Sequence, residues 1–150
     1  LLAYIQPVFI DLDMNTVEPA IGAQRMDKVY AWKSMLDMGI HTSGGSDAPV
    51  VSFDAMENIY FAVTRKNISG QPQEGWIPSE KISVDEAVKL FTKNAAYASY
   101  TEDENGTIEV GKNADFVVLE KNIYEIDPDE IKTTKVDMTI LGGETVFERK

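Results

Sequence analysis

Cysteine is absent from the 150 residues and histidine occurs once, at His41. Without cysteine there is no disulfide framework, no thiolate metal site and no thiol nucleophile, a usage that fits the cytoplasm, where we place the protein. The single histidine has no nucleophile elbow near it, so no serine triad can be assembled. Basic residues are also few, 14 against 25 acidic ones, and the net charge of -11 repels phosphate backbones and anionic lipid surfaces. Nucleic acid and membrane are therefore excluded as partners. No apolar run is long enough for a membrane span, and Leu1-Leu2-Ala3-Tyr4-Ile5 has no basic segment before it, so it does not read as a signal peptide. It reads as a strand cut into, and with no initiator methionine the chain reads as the tail of something longer. Phosphate-binding loops are missing too, since Gly44-Gly45-Ser46 lacks the Walker pattern.

What is present suffices for one ordinary domain: 43% of the residues are hydrophobic, enough for a sizeable core. The chain is organised around Gly44-Gly45-Ser46-Asp47-Ala48-Pro49-Val50. Ile40 to Ser43 is β-prone, the paired glycines allow close backbone approach or unusual φ, and Pro49 resists an early return to helix. Asp47 thus falls at the carboxyl end of a strand, where parallel α/β folds bind ligands and do chemistry. A carboxylate there is either a catalytic group or a loop cap for the next helix, and these residues alone do not choose between the two.

Upstream, Tyr4 to Ile10 reads as a strand carrying Pro7, and Asp11 and Asp13 open a loop. From about Gly22 to Met38 the apolar residues recur at helical spacing, and Gly39 stops the helix at its C′ position. Strand, helix and strand make one βαβ unit, whose parallel strands need that crossover. Downstream, Asp54 caps a helix running to about Thr64. Lys66 to Glu80 is polar and punctuated by glycine and proline. It is either a substrate lid or an Ω-like loop held by its own Trp76. Ser83-Val84-Asp85-Glu86 is a capping box opening a helix to about Tyr100. Strands follow at Ile108–Val110, Ala114–Leu119, Val136–Leu141 and Thr145–Phe147, with a helix start at Asp127-Pro128 and a hairpin turn at Gly142-Gly143. This order predicts an α/β body with a small β-rich appendage.

Thr101 to Lys112 mimics a calcium loop, but with Gly106 in the sixth place the twelfth is Lys112, where a bidentate glutamate is needed. An Asn-Gly turn is the better reading. His41 stands six residues before Asp47, about 20 Å along a fully extended chain at ~3.3 Å per residue, which takes it away from a metal held near Asp47. Asp47 is left without a visible catalytic partner.

Several stretches, in this order and spacing, resemble the C-terminal part of the amidohydrolase superfamily, in the branch of metal-dependent hydrolases grouped as amidohydrolase family 3. They are Ile5-Gln6-Pro7, the Gly22 to Arg25 helix start, Gly45-Ser46-Asp47-Ala48-Pro49-Val50, Ala62-Val63-Thr64-Arg65 and Phe91-Thr92-Lys93-Asn94-Ala95-Ala96-Tyr97-Ala98. Gly106 to Leu119, including the turn Gly111-Lys112-Asn113-Ala114-Asp115, and the ending Met138-Thr139-Ile140-Leu141-Gly142-Gly143 complete the match.

The resemblance implies an α/β fold: residues 1–104 as the last part of a TIM-like (β/α)8 barrel, strands seven and eight with their helices, and residues 105–150 as strands of a composite β-sandwich. It makes Asp47 the metal-associated aspartate, a general base that takes a proton from metal-bound water and then an acid that passes it to the leaving amine. Ser46 and Arg25 become groups that support the site or touch substrate, and Lys66–Glu80 lies near the mouth. The cofactor implied is a divalent metal, zinc, in the full-length parent. Its other ligands belong to strands this chain lacks, since a whole barrel needs roughly 250 residues. The chain alone is therefore expected to be inactive, with no metal stably bound. Expected partners are a small-molecule substrate, the N-terminal part of the same protein and, through exposed strand edges, a second copy in a homo-oligomer. The parent reaction is hydrolysis of a non-peptide C–N bond; the alternative is a non-catalytic binding or assembly module.

Overall fold

The computed structural model describes residues Leu1–Lys150. Its first half is built on two parallel strands, β1 (Leu2–Ile5) and β2 (His41–Gly44), in the register Leu2↔His41 to Ile5↔Gly44. The amide of Gly45 continues the ladder by donating to the Ile5 carbonyl at 2.9 Å. Between the strands run α1 (Phe9–Asp13), α2 (Val17–Ile21), a 3-10 turn at Ala23–Lys28 and α3 (Trp32–Asp37). The expected βαβ crossover is thus present, as a chain of short helices. After β2 come α4 (Ala55–Thr64), a 3-10 turn at Pro78–Glu80, α5 (Val84–Leu90) and α6 (Lys93–Ala98). The last third holds β3 (Phe116–Leu119), a 3-10 turn at Pro128–Thr133, β4 (Val136–Leu141) and β5 (Glu144–Glu148). These three strands form an antiparallel sheet in sequence order. The class is α/β, as expected, with two small sheets.

Local signals hold where the sequence states them outright. Asp54 Oδ1 accepts from the Met56 and Glu57 amides and starts α4. Ser83 and Glu86 close the capping box of α5 reciprocally. Gly39, at φ 72°, ends α3 in a Schellman turn: its amide reaches the Leu36 carbonyl and that of Ile40 the Met35 carbonyl. Gly142 and Gly143, at φ 59° and 84°, make the hairpin turn between β4 and β5.

Five expectations are corrected. The strand drawn from Tyr4 to Ile10 ends at Ile5, because the proline-bearing turn at Gln6-Pro7 starts a helix: the amides of Phe9 and Ile10 donate to the Gln6 and Pro7 carbonyls. The continuous helix from Gly22 to Met38 is broken at Val29, which is extended, and Tyr30, which is left-handed at φ 48°. Tertiary partners override the periodicity there, because the Tyr30 ring packs edge-on to Trp32 and against Trp76. The helix from Ser83 to Tyr100 divides at Thr92, at φ -127° and ψ -98°, where the Phe91 ring packs onto Gly44. Ile108–Val110 is no strand. Both side chains lie open to solvent and neither pairs with a neighbour in either sheet. The segment at Pro128 is a 3-10 turn, with Asp127 capping the Asp129 amide.

One core serves both halves, with Ile5, Ile10, Trp32, Ile59, Phe61, Leu90 and Ile131 all buried in it. The 3-10 turn at Pro128–Thr133 is fastened to α4 by Ile131 in that core, by Lys132 Nζ 4.5 Å above the Tyr60 ring, and by Lys66 to Asp129 at 2.7 Å. No helix is long and apolar enough to cross a membrane.

Candidate functional site at the carboxyl end of the parallel strands

Two elements pin the backbone that leads to Asp47. On one side Asn58 in α4 is buried, accepts the Val8 amide at 3.2 Å and donates to the Asp54 carbonyl at 3.0 Å, so α4 anchors the turn that leaves β1. On the other, Asn94 in α6 donates to the Thr42 carbonyl at 2.9 Å, and the Phe91 ring covers Gly44. A Cβ on Gly44 would stand 2.6 Å from Phe91 Cζ, so the strand comes this close to the helical layer only with glycine there.

Past that point the chain turns outward. Asp47 is exposed and left-handed at φ 61°, a conformation aspartate tolerates better than most residues. Its carbonyl accepts the Val50 amide at 2.9 Å. The helix that follows is capped by Asp54, so capping that helix is not the task of Asp47. Ser46, half-buried, is carried on the same turn. Arg25 is exposed on the 3-10 turn Ala23–Lys28, in another element, and forms no ion pair with Asp47. His41 opens β2 at the opposite end, stacked on Tyr97 at 4.2 Å between ring centroids.

No three His, Asp or Glu side chains come together as a metal-binding group anywhere in the chain. One exposed carboxylate falls short of the three protein ligands typical of a catalytic zinc, so these residues do not by themselves fit such an ion. The acidic residues nearest in sequence to the end of β1 are engaged elsewhere: Asp11 Oδ1 accepts the Ile68 amide at 2.7 Å, and Asp13 accepts the Tyr30 hydroxyl. Burial and this carboxylate hold the Tyr30 phenol well above its usual titration range.

A second feature carries no site signal in the sequence. Arg65 is fully buried beneath Trp32 and Trp76, and burial lowers its guanidinium to about 10. In the sequence it is only an arginine that closes the buried run of α4. Away from Asp47, two apolar clefts of about 570 and 680 Å³ lie between α5 and the antiparallel sheet, sharing Phe91 and Phe116.

The amidohydrolase family model matches residues 1–147. The Bacillus subtilis protein named Putative amidohydrolase YtcJ is 36% identical over 145 residues, which cover 97% of this chain and 27% of that protein. The N-substituted formamide deformylase of Arthrobacter pascens is 34% identical over 122 residues, 81% of this chain and 22% of the relative. The chain thus spans about a quarter of the length of these relatives. Among solved structures, an uncharacterized metal-dependent hydrolase from Pyrococcus horikoshii superposes with a TM-score of 0.72 at 20% identity, over 83% of this chain and 25% of that one. At that identity the likeness speaks to the fold. Matched over nearly its whole length, the chain belongs to the amidohydrolase family, in the family 3 branch.

Proposed function

We propose that this chain is the C-terminal part of a metal-dependent amidohydrolase that hydrolyses a non-peptide C–N bond in a small molecule, with Asp47 as its proton carrier. The observation that carries the reading is the exposed carboxylate of Asp47 just past the carboxyl end of β2. In parallel α/β folds that is the end where chemistry is done. The bond type is supported by the relative named for N-substituted formamide deformylation. In this reading β1 and β2 are barrel strands seven and eight, residues 1–104 belong to the barrel, and residues 105–150 belong to a composite β-sandwich. The parent is cytoplasmic, and the remainder of the protein is the partner that completes the barrel.

The chemistry assigned to Asp47 is proton transfer. As a water oxygen bonds to the carbonyl carbon, the carboxylate takes a proton from that water; as the C–N bond breaks, it returns the proton to the leaving nitrogen. Ser46 and Arg25 are assigned to the support of this turn or to substrate contact. A divalent metal, zinc, belongs to the parent in this reading, with Asp47 associated with it and its other ligands outside these residues.

The test is Asp47→Asn in the full-length protein, assayed on a formamide and on a cyclic amide. Loss of a general base and acid lowers kcat by about 10²- to 10⁴-fold. Turnover equal to an active wild type ends the assignment of Asp47, and no turnover of either amide by the wild-type protein leaves the non-catalytic module as the reading.

A further inference from the structure

The proton transfer does not use Arg65, yet no other arginine or lysine in the chain is so fully buried. A buried guanidinium is retained only when the surroundings bind it, since removing the charge from water is costly. Here no carboxylate pairs with it directly. Nε donates to the Trp76 carbonyl at 2.6 Å and Nη1 to the Tyr30 carbonyl at 3.0 Å, while Nη2 has no partner. The guanidinium carbon sits 4.7 Å from the Trp32 ring centroid and 5.7 Å from that of Trp76.

The main chain closes a loop at the same place. The Trp76 amide donates to the Arg65 carbonyl at 2.7 Å, so these two residues bond reciprocally and shut residues 66–75 into an Ω-loop. Closure is tight: a Cβ on Gly75, at φ 80°, would lie 2.4 Å from the Thr64 carbonyl oxygen. On its far side the loop is tied to α1 by the Ile68 amide on Asp11, and to the 3-10 turn Pro128–Thr133 by Lys132 on the Ile68 carbonyl at 2.7 Å. Three of the five non-glycine residues with left-handed backbone, Tyr30, Arg65 and Ile77, meet at this node. Such conformations persist where surrounding contacts over-determine them, and they cluster where position matters.

We infer that Arg65 is a positioning residue that fixes the 66–75 loop as a rigid wall beside the substrate mouth. Ile68 of the loop lines a cleft of about 230 Å³ together with Val8, just past β1, and Val51 and Ser52, on the stretch that follows Asp47, so the loop is a preorganised part of this end of the fold. This rests on the hydrolase reading above, because the mouth is placed by the carboxyl ends of β1 and β2. The fork of the guanidinium carries the role. Lysine has the charge without the geometry to hold two carbonyls, and methionine has the length without the charge.

Peptide-level hydrogen exchange on the full-length wild-type protein should show segment 66–76 protected. Arg65→Met should raise exchange in that segment about tenfold or more and leave β4 and β5 unchanged. In the same variant KM for a formamide substrate should rise about tenfold with kcat within about threefold, since the lost interaction positions substrate and takes no part in bond breaking. Arg65→Lys should show the same pattern in milder form, and serves if the methionine variant does not fold. Free-peptide exchange rates in the wild-type loop overturn the inference, as does a variant with unchanged exchange. Faster exchange with unchanged KM overturns the wall while leaving the latch. Failure of the hydrolase reading shows itself separately, as no turnover of a formamide or a cyclic amide by the wild-type protein.

Discussion

Gly44 is the residue on which the approach to Asp47 depends. Its missing side chain lets the Phe91 ring lie on the strand, with three ring carbons within 2.9 Å of where a Cβ would stand. Gly44→Ala should therefore cost about 1–3 kcal/mol by overpacking, read as a lowered urea midpoint at unchanged slope. Adding Phe91→Leu should recover part of the loss, and the double-mutant cycle should show a coupling of about 0.5 kcal/mol or more. Additive losses would mean that the ring moves aside into the neighbouring clefts, both of which it lines. The paired glycines were legible in the sequence as a place of close approach or unusual φ. Which neighbour approaches was not legible, because Phe91 lies 47 residues away along the chain and is brought there by the helical layer.

Among the elements, helix starts written into neighbouring residues form where they are written. The capping box of α5 is one, and Ser83→Ala should lower stability by about 1 kcal/mol through loss of the hydroxyl that accepts the Glu86 amide. A thermal or urea transition unchanged by that substitution would show that packing against α4 and α6 holds the helix without its cap. Continuity was harder to read than initiation. The apolar spacing of residues 22–38 and 83–100 predicts unbroken helices, yet each breaks where an aromatic side chain takes a tertiary partner: Tyr30 among Trp32 and Trp76, Phe91 on Gly44. Periodicity reports which residues face inward. It is silent on whether the backbone turns to bring them there. The polar stretch after α4 was legible as a loop containing an anchored tryptophan, and the choice between lid and Ω-loop waited on the bonds that Arg65 makes.

For the whole molecule, sheet edges decide behaviour. The β1–β2 sheet has only two strands, and the antiparallel sheet ends on β3 and β5, so both sheets present unpaired edges in this chain. Phe116, Val117 and Val118 run consecutively along β3, all exposed, together with Val146 and Phe147 on β5. A strand apolar on both faces is built to be covered on both. The isolated 150-residue chain is therefore expected to self-associate at micromolar concentration in analytical ultracentrifugation, against the repulsion of its net charge of -11. A clean monomer would show that twist and charge protect these edges sufficiently.

By itself the sequence determined the α/β class, the βαβ order, the caps at Asp54 and Ser83, the stops at Gly39 and Gly142-Gly143, and an aspartate at a strand end. All of these are set by residues a few positions apart, where backbone sterics and local hydrogen bonds act without help from the rest of the chain. Only the tertiary structure decided that Asp47 is left-handed and exposed, that Phe91 seats on Gly44, and that Arg65 locks the loop after α4. The last two depend on groups well separated along the chain, Phe91 with Gly44 and Arg65 with Tyr30, that meet only after the core has formed. Burial and the positions of hydrogen-bond acceptors are properties of the assembled surroundings, which local pattern does not carry.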